Sequence, residues 1–291
     1  MMQALFDADL VARNRERAFA NHGGEAAFLL DIVAGELSER LAVVERHFPA
    51  AVELHGADGR VAEACLATGR IGGLQRVETS AVFARPGEAL MTAPLEKLPL
   101  AAQSVNLVLS PLAMHLANDL PGLLIQMRQA LKPDGLLLAA VPGAGTLNEL
   151  REVLLATEAE MTGGASPRVI PFADVRDMGG LLQRAGLALP VVDVEDYTVR
   201  YASLFSLIKD LRGMGMTNPL IGRARAPVSK AFFLRAAELY ADRFGDPDGR
   251  IRATFSIIYL SGWAPDASQP KPLKPGSATT RLADALKNAE N

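Results

Sequence analysis

Short apolar runs alternate with helical segments through the first half of the chain, and this alternation constrains the fold more than any other feature. Residues 51–54, 105–110 and 136–141 are runs that suit buried strands, while residues 60–67 and 120–131 have helical character. Parallel strands joined by helices are covered on both faces, so their sequences are continuously apolar rather than alternating. The pattern therefore predicts an α/β fold built on a parallel sheet with helices on both faces.

The rest of the chain adds less regular elements to this sheet. We predict a first helix at 25–46, weakly marked strands at 72–77 and 88–92, helices at 146–161, 175–185, 204–211 and 229–243, and strands at 191–201 and 253–263. The last of these runs, ATFSIIYLSGW, is the strongest strand signal in the chain. Prolines and few apolar residues follow it, which predicts a flexible tail over 264–291.

Composition and charge exclude several classes of function. The formal net charge of −3 argues against broad nucleic-acid binding, which needs a basic surface. The single cysteine, Cys65, excludes a disulfide framework and a cysteine-ligated cluster, and we expect it in the core. The four histidines lack metal-ligand spacing, so no metal site is predicted. With no recognisable targeting segment and no apolar run long enough to span a bilayer, we expect a soluble, cytoplasmic protein.

The turn after the first predicted strand is the first candidate for a ligand site. Its sequence, ELHGADG over residues 53–59, contains Gly56 and Gly59. In a doubly wound sheet, ligands bind beyond the carboxyl ends of the strands, and glycines there let backbone N–H groups approach the ligand closely. Because only two glycines are present, an ordinary strand-to-helix turn is the alternative.

Two polar side chains near the ends of later strands are further candidates. Glu78 is the acid nearest the end of the second strand, where a carboxylate can accept hydrogen bonds from two ribose hydroxyls. The alternative is a solvated carboxylate in a loop. His115 follows the fourth strand and is a candidate catalytic residue, as a general acid or base or a substrate contact. Its alternative is a histidine packed at the edge of a loop.

Short segments in a fixed order give the chain a family resemblance. They are LKPDG at 131–135, TLNELR at 146–151, GGASP at 163–167, DLRGMG at 210–215, ATF at 253–255 and GW at 262–263. LKPDG is shared by many methyltransferases, whereas the others occurring together are much more specific. In these segments the chain resembles the class I S-adenosylmethionine-dependent methyltransferases and, more narrowly, the family of mitochondrial complex I assembly factor 5 and its bacterial relatives.

The resemblance implies a Rossmann-like, seven-stranded, mostly parallel sheet with its last strand antiparallel and helical insertions in the C-terminal half. It implies S-adenosyl-L-methionine as the cofactor. The cofactor-binding residues are then expected to be Glu53, Gly56, Gly59, Glu78 and Ser110. The mitochondrial member is linked to hydroxylation of an arginine in a complex I subunit during assembly. More distant relatives methylate small molecules or carrier-bound acyl groups.

The departures from the family pattern fall on the cofactor side. His55 and Ala57 stand where the family's first motif has glycines, and the ribose-binding acid would fall on Val77, with Glu78 one residue late. Three further positions depart from the family pattern. This chain has Pro94 where the family has the acid that faces adenine, and Asn106 where it has an aspartate in the fourth strand. It has Leu116 where the family has a tryptophan after the position of His115. Side chains in the loop obstruct close backbone approach, so these changes predict weakened or lost cofactor binding.

Two functions therefore remain open for one predicted domain over residues 1–263. Its expected parts are N-terminal helices (1–47), a cofactor-side half (48–145) and a substrate- or partner-side half (146–263). The first function is an enzyme that methylates or hydroxylates a protein substrate; the second is a non-catalytic assembly or binding protein with a degenerate pocket. A respiratory complex I subunit is the expected partner. The loop with Met214 and Met216 is either an adaptable contact surface or a cover for the sheet.

Overall fold

The alternating apolar runs and helices form one seven-stranded sheet with helices on both faces. The structure is a computed structural model that describes residues 4–22 and 27–270. Its helices are α1 (Ala8–His22), α2 (Phe28–Ala42), α3 (Arg60–Ala67), α4 (Leu120–Ala130), α5 (Asn148–Thr162), α6 (Val175–Arg184), α7 (Leu204–Gly213) and α8 (Lys230–Phe244). Its strands are β1 (Ala51–Leu54), β2 (Leu74–Glu78), β3 (Met91–Thr92), β4 (Val105–Pro111), β5 (Leu131–Pro142), β6 (Ala188–Tyr201) and β7 (Ile251–Trp263).

The strand order is β3-β2-β1-β4-β5-β7-β6. β1 pairs in parallel with β2 and β4, and β4 pairs in parallel with β5. β7 is antiparallel to both β5 and β6. The predicted Rossmann-like sheet with an antiparallel last strand is therefore confirmed. Strand order reverses between β1 and β4, which is where a ligand site is expected in such a sheet.

The core has two layers because neighbouring residues of the central strands face opposite sides of the sheet. On β4, Leu107 and Leu109 pack toward α2 and α3, whereas Val108 packs toward α4 and α6. All three side chains are fully buried. Cys65 is buried in the layer that contains Leu107, as predicted.

The second half of the chain is built on the long β6–β7 ribbon. Residues at one end of the ribbon, including Tyr201, Ile251 and Phe255, form a third apolar cluster with α5, α7 and α8. These three helices therefore stand beside the carboxyl ends of the parallel strands rather than on a face of the sheet. Among the described residues, no helix is both long enough and apolar enough to cross a membrane.

The main difference from the predicted elements is α1, for which the apolar pattern gave no bounds within the predicted N-terminal helices, 1–47. Its buried face consists of Val11, Asn14 and Ala18, so a polar residue interrupts an already narrow apolar stripe. Asn14 is accommodated because its side-chain amide donates to the Thr217 carbonyl at 2.9 Å. The helix therefore depends on a partner far away in the sequence.

Other differences concern where elements begin and end. β5 begins at Leu131 rather than at 136, because Leu131 pairs with Val105 before the strand resumes at Leu136. The segment predicted as the start of a tail is held at Ala264, which is buried and whose N–H donates to the Gly135 carbonyl at 2.8 Å. The rest of the predicted tail, 271–291, lies outside the described residues.

Candidate cofactor and substrate site

Two residues with side chains hold backbone conformations that glycine usually supplies. His55 and Ala57, in the loop between β1 and α3, have φ values of +59° and +58°, and Gly59 follows with +76°. Each non-glycine residue in this region is disfavoured by about 1–2 kcal/mol. The loop therefore keeps the path of a glycine-rich turn although two of the motif's glycines are replaced.

Close packing beneath the loop explains the two glycines that remain. A Cβ atom at Gly56 would overlap the Glu53 carboxylate, and one at Gly59 would lie 2.7 Å from Nε of Arg76. Glu53 accepts hydrogen bonds from the Ala62 N–H and from Nε of Arg76, both at 2.8 Å. Glu53, predicted to bind the cofactor, is only 1% exposed and lies under the loop, so it anchors the loop from below.

Arg76 is the loop's buried cation, and the sequence patterns did not single it out. Only 4% exposed, it donates to the carbonyl of Ala57 and forms ion pairs with Glu53 and with Glu88, at 2.8 and 2.7 Å. Burial raises the pKa of Glu53, and its bonds to Arg76 oppose that effect. Because Arg76 touches both ends of the turn, it fixes the backbone path independently of any ligand.

Glu78 supplies a buried carboxylate at the end of β2. It is fully buried, accepts from the Ala57 N–H at 2.5 Å, and lies 3.2 Å from Nη2 of Arg15. Burial would raise the pKa of Glu78, but Arg15, His55 and the Ala57 N–H outweigh it and hold that pKa below its usual value. Val77 is instead a fully buried core residue. The alternative of a solvated Glu78 is therefore wrong, and the buried carboxylate at the end of β2 is that of Glu78 rather than of the position held by Val77.

Helix α1 covers this part of the site through Arg15. The Arg15 guanidinium donates to the His55 carbonyl at 2.8 Å and lies 5.2 Å from the centre of the Phe83 ring. Between α1 and the ends of β1 and β4 remains a cavity of about 100 Å³, here called the strand-end cavity. His55, Ala57 and His115 contribute to its wall.

A second, larger cavity of about 500 Å³ adjoins the first. Residues from α1, from the segment after β4 and from the loop after α7 line both spaces: Arg15, Leu112, His115, Met214 and Met216. The two methionines also pack against the cluster of α5, α7 and α8. The loop with Met214 and Met216 thus lines the cavities, and its role as an adaptable contact surface stays a prediction.

His115 lies where the two cavities meet. Its Nδ1 is buried and has no hydrogen-bond partner among residues 4–22 and 27–270. Burial, assisted by the charge of Arg15, lowers the pKa of His115 to about 3, so the imidazole is neutral near pH 7. It can exchange hydrogen bonds with a ligand there, but it is not tuned as a base for neutral pH.

Two other predicted positions lie away from the cavities. Ser110 is 1% exposed inside β4, pairs with Ala139 of β5, and lines neither cavity. Asn106 is near the beginning of β4, at the opposite end of the strand from the site. Its departure from the family pattern therefore has no direct bearing on the pocket.

The residues present fit an adenosine-containing cofactor in kind and in position. Glu78 places a buried carboxylate at the end of β2, and Nδ1 of His115, in the wall of the strand-end cavity, has no hydrogen-bond partner within the described residues. The strand-end cavity, however, is below the roughly 300 Å³ at which small-molecule pockets begin. Because the Arg15 guanidinium contacts the Glu78 carboxylate, a cofactor that binds through Glu78 displaces the Arg15 side chain.

Comparison with known proteins agrees with this geometry. Residues 56–139 match the family model described as "Methyltransferase domain", which supports S-adenosylmethionine as the cofactor. The YcgJ protein from Bacillus subtilis shares the fold, with a TM-score of 0.53 at 13% identity over 79% of this chain and 98% of its own. "Malonyl-[acyl-carrier protein] O-methyltransferase" from Laribacter hongkongensis is 37% identical over 67% of this chain and 63% of its own.

Two relatives match almost from end to end. "Arginine-hydroxylase NDUFAF5, mitochondrial" from Danio rerio is 35% identical over 97% of this chain and 90% of its own length. The protein of the same name from Homo sapiens is 33% identical over 96% and 83%. These matches include α1 and the helices around the large cavity, which the shorter methyltransferase model does not reach. The chain belongs to the family of the arginine-hydroxylase NDUFAF5, and its sheet has the fold of the S-adenosylmethionine-dependent methyltransferases.

Proposed function

We propose that the chain is an S-adenosylmethionine-using enzyme of complex I assembly that modifies a substrate held in the large cavity. The observation that carries this proposal is the common wall of the two cavities at Leu112 and His115. A substrate in the larger space would lie directly beside a cofactor bound at the strand ends. The proposal keeps the division into a cofactor-side half, 48–145, and a substrate- or partner-side half, 146–263, with Met214 and Met216 of the second half also lining the strand-end cavity.

The candidate residues at the strand-end cavity have defined parts in this proposal. Glu78 would accept hydrogen bonds from the ribose hydroxyls, and the loop at 55–59, fixed by Arg76 and Glu53, would contact the rest of the cofactor. When bound, S-adenosylmethionine supplies an electrophilic methyl group on a sulfonium. Neutral His115 would orient the substrate at the boundary between the cavities.

The reaction and setting are drawn from the relatives. The full-length relatives are named arginine hydroxylases, and the acyl-carrier relative is named a methyltransferase. The proposal therefore includes both hydroxylation and methyl transfer. Mass spectrometry of the product distinguishes them, because an added oxygen atom and an added methyl group differ in mass. We propose a cytoplasmic location and a respiratory complex I subunit as partner.

The second candidate function is a non-catalytic assembly protein. The contact between Arg15 and Glu78, with only about 100 Å³ left at the strand ends, favours it. In that function α1 is a permanent part of the fold and the former cofactor site serves only as a core.

Calorimetric titration with S-adenosylmethionine and S-adenosylhomocysteine separates the two functions. For an enzyme, the unmodified protein binds both, and Glu78→Gln weakens binding about tenfold because a hydrogen bond to a charged group contributes about 1.5–3 kcal/mol. Glu39→Gln, on the exposed side of α2, is the matched control and should leave the affinity unchanged. Absence of binding by the unmodified protein would overturn the enzyme proposal in favour of the non-catalytic one.

A further inference from the structure

A groove lies between α7 and α8, next to the large cavity. Its volume is about 350 Å³, and its lining residues are Phe205, Ile208, Lys209, Arg212 and Phe233; it is here called the outer groove. Ile208, Arg212 and Phe233 also line the large cavity. A molecule in the outer groove therefore lies beside the space in which the proposed substrate is held.

The outer groove is built on the side of α7 that the fold leaves uncovered. The buried residues of this helix are three leucines, Leu204, Leu207 and Leu211. The groove residues follow the helical repeat on another side, three, four and seven positions after Phe205. Phe205 itself is 49% exposed, although a large apolar side chain is stabilised by burial. This stripe of α7 therefore has the spacing of a surface that packs against another helix.

The outer groove carries two cations and no anion. Lys209 and Arg212 are exposed, and neither forms an ion pair or a side-chain hydrogen bond within residues 4–22 and 27–270. Asp210 lies between them in the sequence but does not line the groove, and no other aspartate or glutamate of the described residues lines it. An apolar groove with two uncompensated cations is complementary to an apolar surface bordered by carboxylates.

We propose that the outer groove docks an acidic amphipathic helix of the protein substrate, whose apolar face packs on Phe205 and Phe233. The carboxylates of this helix face Lys209 and Arg212. The inference rests on the proposed function, because it names the part of the substrate that binds next to the reaction site. A chain that continues from the docked helix past Ile208 places its next residues in the large cavity.

Shape and charge both favour a helix over a lipid bilayer as the occupant. The groove is concave and lies between two helices, which is the geometry that receives an amphipathic helix. A bilayer is flat and would contact protruding side chains instead. The formal net charge of −3 also gives the chain no general attraction for anionic lipids.

The test compares three helical peptides that differ on one face only. The first carries leucines on one face and glutamates on the other, the second has lysines in place of the glutamates, and the third has serines in place of the leucines. Binding to the full chain without S-adenosylmethionine is measured by fluorescence anisotropy. The leucine–glutamate peptide should bind about tenfold more tightly than either of the others. General charge attraction would favour the lysine peptide, because the chain is net negative.

Substitutions then assign the binding to the outer groove. Phe205 and Lys209 are chosen because they line the groove but not the large cavity. Phe205→Ser should weaken binding of the leucine–glutamate peptide about tenfold, as for truncation of an anchoring aromatic residue. Lys209→Gln should weaken it about two- to fivefold, as for a solvated charge pair. The matched controls are the exposed residues Ile125 and Lys97, and Ile125→Ser and Lys97→Gln should leave the affinity unchanged.

Several results would overturn the inference. They are the absence of binding by the leucine–glutamate peptide, equal or tighter binding of the lysine or serine peptide, and equal effects of the control substitutions. Sedimentation of the chain with phosphatidylglycerol vesicles that depends on Phe205, without selectivity among the peptides, would assign the groove to a bilayer instead.

The proposed function can fail separately. Selective peptide binding that depends on Phe205 and Lys209, in a protein that binds no S-adenosylmethionine, supports the docking helix and refutes the enzyme. S-adenosylmethionine binding without peptide selectivity refutes the docking helix and leaves the enzyme in place.

Discussion

Arg15→Met should make cofactor binding tighter, because Arg15 competes for the atoms that a ribose would use. Its guanidinium contacts the Glu78 carboxylate at 3.2 Å and the His55 carbonyl at 2.8 Å. A net hydrogen bond to a charged group contributes about 1.5–3 kcal/mol. Releasing one such bond before binding costs at least about 1.4 kcal/mol, a factor of ten in the dissociation constant. Methionine keeps the apolar contact with Phe83 but offers nothing to Glu78.

The assay is a calorimetric titration with S-adenosylhomocysteine, repeated on Arg13→Met as the control from the exposed side of α1. We expect the dissociation constant of Arg15→Met to fall about tenfold and that of Arg13→Met to stay unchanged. A thermal unfolding curve verifies that both variants are folded. Unchanged or weaker binding by Arg15→Met would refute the reasoning, since it would mean that Arg15 either stays in place or helps to hold the cofactor.

Three further perturbations test the loop and its surroundings. Arg76→Met leaves the carboxylates of Glu53 and Glu88 without their ion pair and should lower the free energy of unfolding in urea by about 3–5 kcal/mol. The control Arg235→Met removes an exposed ion pair and should lower that free energy by less than about 1 kcal/mol. Similar losses in the two variants would contradict the role of Arg76. His55→Gly removes a ring from the strand-end cavity and should raise S-adenosylhomocysteine affinity about tenfold in calorimetry, and a weaker affinity would show that the ring supports binding. Burial lowers the pKa of His115 to about 3, so below the unfolded value of about 6.5 only the unfolded state takes up this proton. The free energy of unfolding should therefore fall as the pH drops from 6.5 toward 3, and His115→Asn should flatten that fall; an unaltered pH profile would refute it.

The central sheet could be predicted from the sequence because its strands are buried on both faces. β1 was predicted residue for residue, and β4 to within one residue. By contrast, β3 has only two residues, Met91 and Thr92, which is too short for any periodic signal. The bounds of α1 within the predicted N-terminal helices could not be predicted because its buried face includes Asn14, whose partner is 203 residues away.

The candidate site was less accessible from the sequence for a related reason. Adjacent residues of a strand point to opposite faces of the sheet. The family pattern assigns the acid to position 77, but the acid of this chain is one residue later, so the pattern points to a core side chain instead of the carboxylate of Glu78. The partner of Glu78, Arg15, lies 63 residues earlier in the chain. No local pattern carries that information. Glu78 itself could be named from the sequence, but the Arg15 guanidinium that covers it becomes visible only in the folded chain.

The position of α1 between the two cavities links the affinities of their ligands. Arg15 belongs to both walls, and Arg17, two residues later on the same helix, belongs to the wall of the larger cavity. A cofactor that displaces the Arg15 side chain therefore changes the wall of the larger cavity as well. Thermodynamic reciprocity then requires that the substrate change the cofactor's affinity by the same factor as the cofactor changes the substrate's. A single arginine of the N-terminal helix thus makes two neighbouring binding events interdependent.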